Sequence, residues 1–122
     1  MSRSLCLSLA ALACVAAPAA RAADDAAAAD LKCMVVAAAL SQNADPGLKS
    51  AGAMTGIYYL GRLDGRTPNL DLETRLRATI SQMTPQELVP EIQRCGQQVQ
   101  ARLKSAGQIG SRMPPLGGTK AP

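Results

Sequence analysis

Histidine, tryptophan and phenylalanine are absent from this sequence, and Tyr58 and Tyr59 are its only aromatic residues. Without histidine the chain lacks the commonest general base near neutral pH, and no Ser-His, Cys-His or His-metal constellation can be assembled. Carboxylates alone would have to carry acid-base chemistry. The adjacent acids Asp24 and Asp25, and the pair Asp71 and Glu73, fall at expected helix starts, where interaction with the helix dipole accounts for them. No phosphate loop is present either, because Gly52 and Gly56 have neither a strand before them nor the required lysine after them. The expectation is a protein that is not an enzyme, with no catalytic residue, no metal and no cofactor. A small enzyme built on carboxylates is the alternative within the catalytic class. The scarcity of stacking rings and the scatter of the bases also speak against nucleic acid as a partner.

Long apolar runs are missing apart from Leu5–Ala17, which follows the basic Met1-Ser-Arg-Ser start. At thirteen residues this run falls short of the roughly 20 needed to span a bilayer, but it has the order of a signal peptide. Pro18 is expected to break the helix, and Ala20-Arg21-Ala22 offers small residues to a signal peptidase, placing the cut after Ala22. A rival cut lies at Cys14, where Ala11-Leu12-Ala13-Cys14 loosely resembles a lipobox. The expected product, residues 23–122, is a single small periplasmic or secreted domain without a transmembrane span. It retains eleven bases against nine acids, a mild balance that argues against strong attraction to anionic lipid.

Cys6 and Cys14 leave with the signal, so Cys33 and Cys95 remain, and an oxidising compartment would join them. The bridge closes a loop long enough to contribute about 4 kcal/mol by restricting the unfolded chain. Two distant thiols without histidine make a poor zinc site, and they do not form the Cys-x-x-Cys pair of a redox catalyst.

Strand alternation is absent, and the pattern predicts an all-α, four-helix domain over 23–106, with a flexible Gly/Pro-rich tail over 107–122. The first helix spans Asp24 to Leu40. Leu31, Met34, Val35 and Ala38 share one of its faces, and Cys33, Val36, Ala37 and Leu40 form another. The second runs from about Leu48 to Leu63, with Ala53, Ile57 and Leu60 on its apolar side and Met54 and Tyr58 beside them. Gly52 and Gly56, four residues apart, would let another helix approach closely, and Asp64-Gly65 reads as the stop. A third begins near Thr67-Pro68 with a stripe of Leu72, Leu76, Ile80 and Met83. Thr84-Pro85-Gln86-Glu87 is a capping box opening a fourth helix, whose stripe is Leu88, Ile92, Cys95, Val99 and Leu103. Pro90 should kink or restart it.

The most distinctive segment is Tyr58-Tyr59-Leu60-Gly61-Arg62-Leu63-Asp64-Gly65-Arg66. Tyr58, Tyr59, Arg62, Asp64 and Arg66 form a candidate binding surface for a ligand, a partner chain or an anion. The competing reading packs a tyrosine beneath the fourth helix and pairs Asp64 with Arg62 or Arg66 at the surface, where such pairs contribute about 0–1 kcal/mol.

Three pieces, Leu31-Lys32-Cys33, Ala53 to Gly65, and Thr84-Pro85 to Cys95, together resemble the HdeA/HdeB family of periplasmic acid-stress chaperones. The Tyr-Leu-Gly-Arg segment is similar to that of small exported alphaproteobacterial proteins, which the sequence resembles more closely than it does the chaperones. The resemblance implies a homodimer-forming helical protein that loosens in acid and offers apolar helices to unfolded clients. Protonating all nine acids would take the mature chain from +2 to +11, and with no histidine the switch would fall in the carboxylate range, about pH 3–5. The expected function is chaperone-like binding of unfolded protein. The alternative is a dedicated partner-binding or inhibitor module of the cell envelope.

Overall fold

A computed structural model describes residues 16–114, which form four helices in the order α1 (Ala16–Ser41), α2 (Pro46–Arg66), α3 (Leu72–Gln82) and α4 (Pro85–Gly110). There is no strand among the described residues, so the all-α expectation holds. The signal-peptide features before Ala16, including Cys6 and Cys14, and the tail beyond Pro114 lie outside the described residues.

The helix starts are written in local chemistry. Asp45 caps α2, its Oδ1 accepting from the Leu48 N–H at 2.9 Å, and Pro46 follows in the first turn, where its missing N–H costs nothing. That pair starts α2 two residues before the expected Leu48. Asp71 caps α3 by accepting from the Thr74 N–H at 3.1 Å and from the Thr74 hydroxyl at 2.8 Å. The expected start at Thr67-Pro68 is therefore corrected to Leu72. Thr67 instead closes α2, donating its N–H to the Leu63 carbonyl, because the following Pro68 disfavours helical geometry in the residue before it. Gly65 accordingly lies inside α2 rather than after it. At α4 the Glu87 carboxylate accepts from both the N–H and the hydroxyl of Thr84, at 2.9 and 3.0 Å, the glutamate half of the expected capping box.

Two further expectations are revised. α1 runs unbroken across Pro18, where a break was expected. α4 continues through Pro90 without a restart and reaches Gly110, so residues 107–110 belong to the helix and not to a tail. Pro90 and Gln86 are both exposed, and water can satisfy the Gln86 carbonyl that Pro90 leaves without its helical donor.

α1 is the spine of the fold, with α2, α3 and α4 all packed on it. α3 and α4 do not pack on each other among the described residues. α2 returns alongside α1, and the closest approach is at Gly52, where a Cβ would stand 2.5 Å from the Ser41 nitrogen and 2.8 Å from the Ala37 carbonyl oxygen. Two small apolar clusters lie along α1. In one, Ala27, Leu31 and Leu63 are covered by Leu70, Leu72 and Leu76. In the other, Cys33, Val36, Tyr59, Cys95 and Val99 are covered by Met34, Leu40, Tyr58, Leu88 and Ile92. The Cys33–Cys95 disulfide sits within the second cluster and ties α1 to α4, as the cysteine arithmetic predicts.

The apolar faces differ from the expected ones in places. α2 buries Gly52, Thr55, Tyr59 and Leu63, while Ala53, Ile57 and Leu60 are exposed. On α1 Ala38 is exposed, and on α3 Ile80 faces solvent with Leu72, Leu76 and Met83 only partly covered. Leu103 of α4 is also exposed.

Candidate binding surface

Tyr58, Tyr59, Arg62 and Arg66 gather at the α1–α2 interface around an acid that the sequence did not single out, Asp30 on α1. Asp30 is only 1% exposed, and both of its carboxylate oxygens are satisfied by arginine. Arg62 Nε donates to Oδ2 at 3.1 Å and Nη2 meets Oδ1 at 3.0 Å, a two-pronged contact, while Arg66 Nη1 donates to Oδ2 at 2.6 Å. The remaining prong of Arg62, Nη1, donates to the Tyr58 hydroxyl at 2.9 Å, and its guanidinium carbon lies 5.4 and 5.5 Å from the centres of the two tyrosine rings. The rings meet edge to face at 4.9 Å.

Burial opposes ionisation of Tyr58, but the positive charges and hydrogen bonding of Arg62 and Arg102 outweigh it and hold the phenol below its usual range. Burial also disfavours charge on Arg62, and its bonds to Tyr58 and Asp30 more than compensate, so its pKa is raised. Tyr59 is fully buried, and that burial raises its phenol pKa. Its hydroxyl lies 2.8 Å from Gln98 Oε1 and 3.3 Å from the Cys95 carbonyl oxygen, so it hydrogen-bonds to α4 beside the disulfide.

Asp64 is exposed and pairs with neither arginine among the described residues. Two residues from each, it projects from a different side of α2, whereas Asp30 faces both across the helix interface. Four of the five candidate residues thus join in an internal latch, and Asp64 stands outside it. Three of the five N–H donors of Arg62 are spent inside the latch.

A second cluster surrounds the disulfide. Glu91 Oε2 contacts Arg94 Nη2 at 2.6 Å, and the same nitrogen donates to the Ala29 carbonyl at 2.9 Å and lies 3.1 Å from Cys33 Sγ. Glu91 with Cys33 and Cys95 forms a compact group of potential metal donors. With the sulfurs joined and the carboxylate held by Arg94, that group offers no thiolate ligand in the oxidised protein.

The outer side of α2 is an exposed apolar surface. Residues 50–61 contain no charge, and Met54, Ile57 and Leu60 project away from the buried Gly52-Thr55-Tyr59-Leu63 side, with Ile57 74% exposed. Lys49 and Asp64 bound this apolar strip at its two ends. The hydrophobic period read from the sequence was real, but the close approach of α1 and α2 at Gly52 turns it outward.

No protein family, curated protein or solved structure matches this chain in the comparisons made with them. No helix among the described residues is long and apolar enough to cross a membrane.

Proposed function

We propose that this chain is an exported, non-enzymatic helical protein that binds unfolded polypeptide, with the outer side of α2 as its docking strip. The observation that carries this reading is the uncharged strip with Met54, Ile57 and Leu60 exposed. A contiguous exposed apolar face on a small protein marks an interaction surface.

Magnitude favours a transient client over a tightly held folded partner. Completing the burial of the mostly exposed Ile57 and the partly covered Met54 and Leu60 yields about 1–2 kcal/mol each. Association costs at least about 4 kcal/mol in lost freedom, so the strip alone gives weak, reversible contacts of the kind that restrain aggregation. Acid would strengthen them if nine protonated carboxylates left the chain with uncompensated positive charge and loosened the small clusters on α1.

Light scattering of an acid-denatured client, followed with and without the protein at about pH 7 and about pH 3, tests the reading against the carboxylate range. Suppression of aggregation should be stronger in acid and should fall at both pH values in Ile57→Lys. A variant as effective as the parent, or no suppression at either pH, would exclude the strip as the client surface. Stoichiometric co-purification with one native protein would instead favour a dedicated partner-binding module.

A further inference from the structure

Beyond Gln100 every residue of α4 is exposed, and Arg102 reaches back to the Tyr58 hydroxyl. The apolar stripe of α4 nevertheless continues. At 100° per residue Leu103, Ala106 and Gly110 follow the line of buried Val99 and Ile109 lies to one side of it, with Ile109 55% exposed and Met113, just past the helix, 64% exposed. Lys104 and Gln108 occupy the opposite side, and Arg102 lies on the apolar side next to Ile109.

The charge of this end is of one sign. No acid follows Glu91, whereas Arg94, Arg102, Lys104, Arg112 and Lys120 do. Arg94 is tied to Glu91, and Arg102, Lys104 and Arg112 form no salt bridge among the described residues. The mild overall balance thus conceals a segregation of charge, with acids prevailing up to Glu91 and only bases beyond it. A second copy of the same segment would be a poor cover, since it would set bases against bases with no acid to answer them.

We propose that the C-terminal half of α4 is a docking surface for anionic phospholipid. Leu103, Ile109 and Met113 enter the boundary between headgroups and acyl chains, and Lys104 on the polar side and Arg112 past the helix end reach lipid phosphates along their flexible stems, in the manner of a basic amphipathic helix lying in the interface plane. This contact stands apart from the α2 strip, so either can fail without the other.

The test is co-sedimentation of the secreted, disulfide-bonded protein with vesicles of phosphatidylcholine alone or mixed with phosphatidylglycerol, at low and high salt. The parent should sediment with the anionic vesicles, weakly with the neutral ones, and less as salt screens the charges. Lys104→Glu with Arg112→Glu should weaken partitioning by at least about tenfold, and Ile109→Ser should weaken it without removing its salt dependence. Circular dichroism melts of these exposed-site variants should overlay the parent. The proposal fails if sedimentation is the same on neutral and anionic vesicles, if no vesicle is bound, or if charge reversal changes nothing. It fails equally if Ile109→Ser abolishes self-association in vesicle-free sedimentation, which would make a second copy the occupant.

Discussion

Gly52 and Gly56 look alike in the sequence, and the structure separates them. A methyl at Gly52 would collide with the backbone of α1, whereas one at Gly56 would meet the Ala37 Cβ at an ordinary 3.7 Å. Gly52→Ala should therefore cost about 1–3 kcal/mol by overpacking. Gly56→Ala should be neutral or stabilise by up to about 1 kcal/mol, because alanine is the better helix former. Urea denaturation of the two variants checks the contrast, and equal effects would contradict the close approach. Asp30 supplies a second contrast. Removing one partner of a buried ion pair commonly costs about 3–5 kcal/mol. Here both guanidiniums keep partial access to water, so Asp30→Asn should cost nearer about 2 kcal/mol, while Asp64→Asn should change stability by less than about 0.5 kcal/mol. The glycine spacing was legible because close packing leaves a local mark. Asp30 was not, because it lies 32 positions from Arg62, and nothing in its own alanine-rich surroundings shows that two arginines will reach it.

The capping box at Thr84-Pro85 made the start of α4 legible from neighbouring residues alone. A cap residue and a proline do not by themselves suffice for that: α2 begins at Asp45-Pro46, two residues before its expected start, and Thr67-Pro68 opens no helix. Helix faces were less legible. Periodicity placed Ala53, Ile57 and Leu60 on one side of α2, but which side is buried depends on where α1 can approach, and Gly52 and Thr55 allow that on the other side. The disulfide was legible because oxidation of two remaining cysteines has one intramolecular outcome. Its importance follows from the packing: α4 touches the α1–α2 pair mainly around Cys95, Tyr59 and Val99, with no support from α3. Cys95→Ser should cost about 2–5 kcal/mol and leave the protein partly unfolded by circular dichroism at about 37 °C. An unchanged melt on reduction would show that helix packing suffices without the bridge.

For the protein as a whole, acid is the natural perturbation. The backbone N–H of Thr74 holds the Asp71 carboxyl below its usual range, and the N–H of Thr84 does the same for Glu87. A carboxyl with a lowered pKa in the folded state stabilises folding above its unfolded value, and that contribution is lost as pH falls through the folded one. The melting temperature should thus be nearly flat from about pH 7 to 5 and fall below about pH 4.5, with a shallower fall in Asp71→Asn combined with Glu87→Gln. A melting temperature constant down to about pH 2 would contradict the assignment of these caps. Acid sensitivity and an exposed strip on α2 meet in one claim, that unfolded chains dock on Met54, Ile57 and Leu60. The most direct measurement places a photo-crosslinking residue at Ile57, or at exposed Gln93 on α4 as a control, and irradiates each with an unfolded client in acid. The strip should capture client from position 57 well above the level from position 93, whereas equal capture from both, or none from position 57, would contradict the account.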